Sequence, residues 1–135
     1  VNFPDSFCCH IGYHEPMAHL IEAAADFFLM PSRFEPCGLN QLYSLRYGTI
    51  PIVNDVGGLS DTVIDVTKNP RIGNGIKLTE HSPEGLLRAL RASAKLYCNR
   101  DRLNRIRKRA MRANFEWEHS AKAYLRIYKS SHKRR

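Results

Sequence analysis

No apolar run in this chain approaches the roughly 20 residues that a membrane-spanning helix needs. Its start also lacks the charged-then-apolar layout of a secretion signal. Cysteine is scarce: Cys8, Cys9, Cys37 and Cys98 are the only four, and their spacing fits no metal-ligand pattern. Adjacent Cys8 and Cys9 would point to opposite faces of a strand, which keeps them from chelating one ion together. Without a secretion signal all four read as reduced thiols of a cytoplasmic protein. Cys8, Cys9 and Cys98 are expected to be small buried apolar side chains. There is no internal repeat and no low-complexity segment.

Acidic residues are outnumbered, 13 against 21 Lys and Arg, and the net charge is +8. Most of the excess follows residue 87, with a dense run at Arg105-Ile106-Arg107-Lys108-Arg109 and a tail of Lys133-Arg134-Arg135. Such a run could touch a polyanion. Aromatic residues do not interleave with it as they do on a stacking platform for single strands. The plainer reading is a solvated helix face with a loose end, so nucleic acid is not the expected partner.

What is present is an alternating α/β pattern in 135 residues, enough for one domain with a real core. The chain opens on Val1, not Met, which reads as a piece of a longer protein. Phe7 to Ile11 reads as a short strand closed by Gly12. Pro16 fits a first helical turn, followed by Met17, Leu20, Ile21 and Ala24 at helical spacing. Asp26 to Met30 is a compact apolar strand. Leu39 to Arg46 forms an amphipathic helix that Gly48 stops. Thr49 to Val53 is the next strand, and its Pro51 argues for an edge or a strand start. After Gly57-Gly58 comes a brief helical turn at Leu59 to Val63, then turn signals at Asn69-Pro70 and Gly73-Asn74-Gly75, and a last short strand at Ile76 to Leu78. Ser82 caps a helix from Pro83 whose buried face should be Leu86, Leu87, Leu90, Ala94 and Tyr97. Two more helices follow, about Arg102 to Met111 and Glu116 to Lys129. Strands alternating with helices predict a parallel sheet covered on both faces, here part of a doubly wound, Rossmann-like domain.

The segment "PSRFEPCGLN" joins the Asp26–Met30 strand to the following helix. In a parallel α/β unit that junction lies at the carboxyl rim of the sheet, where ligands bind. The helix beginning near Leu39 offers unpaired N–H groups and a partial positive charge, and Gly38 permits close approach of a ligand to the backbone. Together these suit a phosphate or diphosphate. Glu35 would repel such an anion, unless it faces a neutral or developing positive group beside it. A sugar bonded to a diphosphate supplies both, through its hydroxyls and its oxocarbenium character as the bond breaks. Read bare, Glu35 is equally an exposed turn residue, and Tyr13 a packing residue.

The stretch "PSRFEPCGLNQLYSLRYGTIPIV", followed by "GGLSDTV", resembles the donor-binding domain of bacterial glycogen synthases and plant starch synthases, retaining glucosyltransferases of two-domain GT-B architecture. The resemblance is specific from about Gly12 to Val63. It implies that Glu35 serves the donor glucose and the charged transition state, that the amides of Cys37, Gly38 and Leu39 hold the sugar and diphosphate, and that Tyr13 stacks on the adenine of ADP-glucose. Gly57 and Gly58 would shape a second rim loop. The wider superfamily has a second glutamate eight residues after the first; here Tyr43 stands there, as in the synthases.

The expectation is therefore the C-terminal part of a GT-B enzyme, with residues 1–115 as a partial donor-binding domain. Residues 116–135 would be a terminal helix and tail packing on a missing N-terminal domain. The whole enzyme would transfer glucose from ADP-glucose to the non-reducing end of an α-1,4-glucan. It would use no metal and no cofactor beyond the nucleotide-sugar substrate, and would work in the cytoplasm, or a plastid if the source is a plant. The basic groups that neutralise the diphosphate would lie upstream of Val1, which predicts no activity for these 135 residues alone. Another GT-B nucleotide-sugar transferase and a basic polyanion-binding module are the alternatives.

Overall fold

A computed structural model describes residues 5–132. Asn2 and the Lys133-Arg134-Arg135 tail lie outside the described residues. The elements run α1 (Glu15–Ala24), β1 (Phe27–Met30), α2 (Asn40–Tyr47), β2 (Ile50–Val53), α3 (Gly57–Thr62), β3 (Ile76–Lys77), α4 (Pro83–Tyr97), α5 (Arg100–Ala110) and α6 (Trp117–His132). The strands form one parallel sheet in the order β1-β2-β3, with Phe27 opposite Ile50 and Ile52 opposite Ile76.

β2 is buried along its whole length, and its alternation sends side chains into two cores. Ile50 and Ile52 join Leu45, Ile76, Leu96, Leu103 and Ile106 in the larger one. Val53 joins Leu59 and Val63 in the smaller. Both sheet faces are thus covered, as a parallel sheet requires. Local signals act where expected. Gly48 takes the left-handed conformation that ends α2 (φ 85°), and the Ser82 hydroxyl accepts from the Gly85 N–H at 3.0 Å at the start of α4.

Four expectations fail in whole or in part. Residues 7–11 form no strand and are exposed; a strand is held by a ladder to a neighbour, and among the described residues none lies beside them. Cys8, Cys9 and Cys98 are exposed, not buried, and Cys37 is exposed as well. Cys8 and Cys9 follow the absent strand, and Cys98 stands at the C-cap of α4.

Pro51 sits in the central strand, not at an edge, though near the strand start that the proline also allowed, as the second residue of β2. The Ile50 N–H bonds toward β1 and the Val53 carbonyl toward β3, so odd-numbered residues of β2 face β3. β3 begins only opposite Ile52, and the missing Pro51 donor therefore faces a point before that ladder starts.

The buried face of α4 is Gly85, Ala89, Ser93 and Leu96. Leu87, Leu90, Ala94 and Tyr97 point outward and Leu86 is half-buried. Small residues win because the helix lies against the preceding turn: a Cβ on Gly85 would overlap the Glu80 carbonyl.

Part of the basic run is structural. Arg107 pairs with Asp26 just before β1, and Arg109 donates to the carbonyls of Pro70 (3.0 Å), Arg71 (2.7 Å) and Gly73 (2.8 Å). Arg105 and Lys108 face solvent. On α6, Trp117, Tyr124, Leu125 and Tyr128 are exposed, and the two tyrosine rings stack with centroids 6.5 Å apart. Among the described residues no helix is long and apolar enough to cross a membrane.

Candidate functional site

The loop from Pro31 to Leu39 leaves the carboxyl end of β1 and turns into α2. Gly38 has φ +73°, a conformation L side chains rarely adopt. Leu39 is the N-cap and makes no side-chain cap. Among the described residues, the N–H groups of Cys37, Gly38 and Leu39 find no acceptor. Cys37 and Gly38 are loop residues just ahead of the N-cap, and the positive end of the α2 dipole lies behind all three.

Gln41, fully buried, supports this loop from inside. Its Nε2 donates to the carbonyls of Cys37 (3.0 Å) and Gly38 (2.9 Å) and approaches the Thr62 hydroxyl at 3.3 Å. Thr62 in turn donates to the Gly58 carbonyl at 2.6 Å.

The β2–α3 loop closes on the first. The Gly58 N–H donates to the Glu35 carbonyl at 3.1 Å, and the Asn54 side chain donates to the Ser32 carbonyl at 3.1 Å. Any Cβ on Gly57 or Gly58 would collide with the Glu35 or Cys37 carbonyl. At the end of β3, the Lys77 ammonium binds Asp55 at 2.7 Å and the Ser60 carbonyl at 3.0 Å. The hydrogen bond from Lys77, helped by Ser60, holds the Asp55 carboxyl below its ordinary range. His81 reaches the Pro31 carbonyl with its Nε2 at 3.1 Å.

Glu35 is half-buried, with its Oε2 3.4 Å from the Ser32 hydroxyl that donates to it. The structure thus brings Glu35, Cys37, Gly38, Gly57 and Gly58 into one backbone-packed unit at the rim. Tyr13, 93% exposed, stands elsewhere on that rim. It lines a cleft of about 760 Å³ between α1 and α2 together with Leu39, Asn40 and Tyr43. Glu35, Cys37 and Gly38 do not line that cleft; Leu39 is the point where the two regions meet. Among the described residues no group of three or more His, Cys, Asp and Glu side chains is placed to hold a metal ion.

The sequence model of the family described as glycosyl transferases group 1 matches residues 7–112. The chain belongs to that family. It is 50% identical over 128 residues to the glycogen synthase of Rhodospirillum rubrum, covering 95% of this chain and 26% of that protein. A second glycogen synthase, from Photobacterium profundum, is 50% identical over 125 residues, covering 92% of this chain and 25% of the other. Among solved structures, the catalytic domain of starch synthase IV from Arabidopsis thaliana, bound to ADP and acarbose, superposes with a TM-score of 0.81 at 36% identity. That match covers 90% of this chain and 25% of the other. The chain therefore spans about a quarter of the length of the relatives it matches, and its fold is the C-terminal domain of the GT-B architecture.

In this group 1 glycosyltransferase chain, the rim contains residues that inspection of the sequence passed over. Gln41, Asn54 and Thr62 make contacts that lock the two loops together, and Lys77 ties the second loop to β3. Only Gln41 carried a readable signal, an amide side chain in the first turn of a helix that follows a glycine. The others act through tertiary pairings that no local pattern encodes.

Proposed function

We propose that this chain is the donor-binding, C-terminal portion of a glycogen or starch synthase. The whole enzyme transfers glucose from ADP-glucose to the non-reducing end of an α-1,4-glucan with retention of configuration. One observation carries the reading: a loop with unpaired amides at a β-strand's carboxyl end, with Glu35 packed beside it, in a chain half identical to glycogen synthases. In this reading the amides of Cys37, Gly38 and Leu39 hold the sugar and diphosphate, and Glu35 faces the glucose and its positive transition state. Tyr13 stacks on the adenine, and Gly57 and Gly58 shape the floor. The ADP bound to the starch synthase IV relative supports the choice of base for this chain. No metal or further cofactor takes part, and the enzyme works in the cytoplasm, or the plastid of a plant source.

The test is made in the longer protein that carries this chain. Glu35→Gln should lower the rate of glucose transfer about 10²-fold or more while leaving ADP binding in place. Unchanged transfer would remove Glu35 from the chemistry. A panel of nucleotide sugars and acceptors separates a synthase from another group 1 transferase. The 135 residues alone should release no ADP from ADP-glucose and glycogen, and release would overturn the view that the remaining part is needed.

The exposed aromatic side of α6 fits the same reading. Among the described residues Trp117, Tyr124, Leu125 and Tyr128 have no cover, and we assign them to contact with an N-terminal domain of the longer protein. Removing residues 116–135 should then lower that protein's melting temperature; an unchanged value argues against the contact.

A further inference from the structure

Gln41 is fully buried, and no step of the proposed function uses it. Its Nε2 lies 3.0 Å from the Cys37 carbonyl and 2.9 Å from the Gly38 carbonyl. Each carbonyl shares a peptide unit with the next residue's N–H: Cys37 with Gly38, and Gly38 with Leu39. Among the described residues no peptide bond is cis, and a trans unit points its C=O and N–H in opposite directions. A donor that grips both carbonyls from the core side therefore turns both N–H groups outward. Neither has an acceptor among the described residues.

The other end of the amide explains Gly38. Oε1 of Gln41 is buried without a partner and lies where a Cβ on residue 38 would be. A side chain at 38 would displace Gln41 as well as strain the backbone at φ +73°.

We propose that Gln41 is a positioning residue: by holding the carbonyls of Cys37 and Gly38 it aims the N–H groups of Gly38 and Leu39 at a diphosphate. This rests on the reading of the loop as a diphosphate seat and adds what sets its direction. The Cys37 N–H is not aimed this way, since its peptide unit carries the Pro36 carbonyl, which Gln41 does not touch.

Charge and donor chemistry separate this role from simple packing. Gln41→Leu keeps volume and loses the donor. Gln41→Glu puts a carboxylate against two carbonyls, which it repels, and offers an acceptor to their N–H groups instead. The longer protein that carries this chain, nitrogen-labelled, is examined by residual dipolar couplings, which report N–H directions, and titrated with inorganic pyrophosphate.

In the wild type the Gly38 and Leu39 amides should point to solvent and shift on adding pyrophosphate. In both variants their directions should change, most in Gln41→Glu, and pyrophosphate affinity should fall about tenfold or more. A Thr62→Val control, which removes the third contact to Gln41 and the bond to the Gly58 carbonyl but neither grip on Cys37 or Gly38, should leave the directions in place. Unchanged directions in folded Gln41→Leu would overturn the positioning role. Should neither variant fold, wild-type couplings across the hydrogen bonds from Nε2 to the two carbonyls decide: their presence supports the role and their absence overturns it. A wild type with the expected directions but no pyrophosphate response would instead overturn the diphosphate reading.

Discussion

Gly57 lies with its Cα against the carbonyl oxygen of Glu35, so close that a β-carbon there would overlap that oxygen. Its φ of +44° is also one that side chains resist. Two loops separated by a strand and a helix are thereby packed backbone to backbone beneath the candidate site. Gly57→Ala should cost about 2–4 kcal/mol, the sum of a left-handed residue and an overpacked contact. Urea unfolding should show this as a lower midpoint. A midpoint within error of the wild type would mean the loops are not in contact.

The Asp55–Lys77 pair fixes the same loop from the far side. Asp55 is held below its ordinary carboxylate range, so the unfolded chain takes up its proton first as pH falls. The pair's contribution is present above the unfolded value, near 3.8, and is lost as pH drops through the folded one. With Asp55 nearly half exposed, that contribution is at most about 1 kcal/mol. Between pH 7 and pH 3, Asp55→Asn should therefore lose less stability than the wild type. Parallel pH curves for the two proteins would show that the pair contributes nothing.

Glu22 on α1 has the opposite sign. It is 2% exposed, its Oε2 has no partner, and burial raises its carboxyl above the ordinary value while His19 partly offsets this. Its own carbonyl accepts from Thr49, at the start of β2, so it lies at the end of the sheet away from the rim. A raised acid favours the folded state when protonated, so its cost appears as pH rises above 4.5. Glu22→Gln should raise stability at pH 7, because a neutral amide of the same shape avoids the cost of burying the charge. At pH 4 the gain should shrink, and a gain that is equal at both pH values would assign it to packing.

How much of this was readable beforehand depends on the range of the interaction. The order of elements from β1 to α5, the stop at Gly48 and the Ser82–Pro83 start follow from local chemistry, and all were legible. That residues 7–11 form no strand was not, because a strand exists only with a neighbour. The face of α4 was misjudged because leucine spacing marks an apolar side without saying what is close enough to demand Gly85 and Ala89 instead. At the rim, Glu35, Gly38 and Gly57 could be singled out as unusual residues at a strand end. The side-chain bonds that join the two loops, Gln41 to Thr62 and Asn54 to Ser32, link residues of ordinary type that are distant in sequence.

The proposed division between Tyr13 and the amide loop yields the sharpest binding test. Tyr13 and Leu39 line one cleft, while Cys37 and Gly38 lie outside its lining. A ligand reaching from the amides past Leu39 would then meet the tyrosine with its base and the amides with its phosphates. Base stacking on an aromatic ring is worth about 1–3 kcal/mol, so Tyr13→Ala should weaken ADP binding about tenfold or more. Inorganic pyrophosphate, which has no base, should bind the variant as it binds the wild type. Calorimetric titration of both ligands separates the cases. Equal losses for ADP and pyrophosphate would show that Tyr13 acts by holding the loop, and no loss for either would place the base elsewhere.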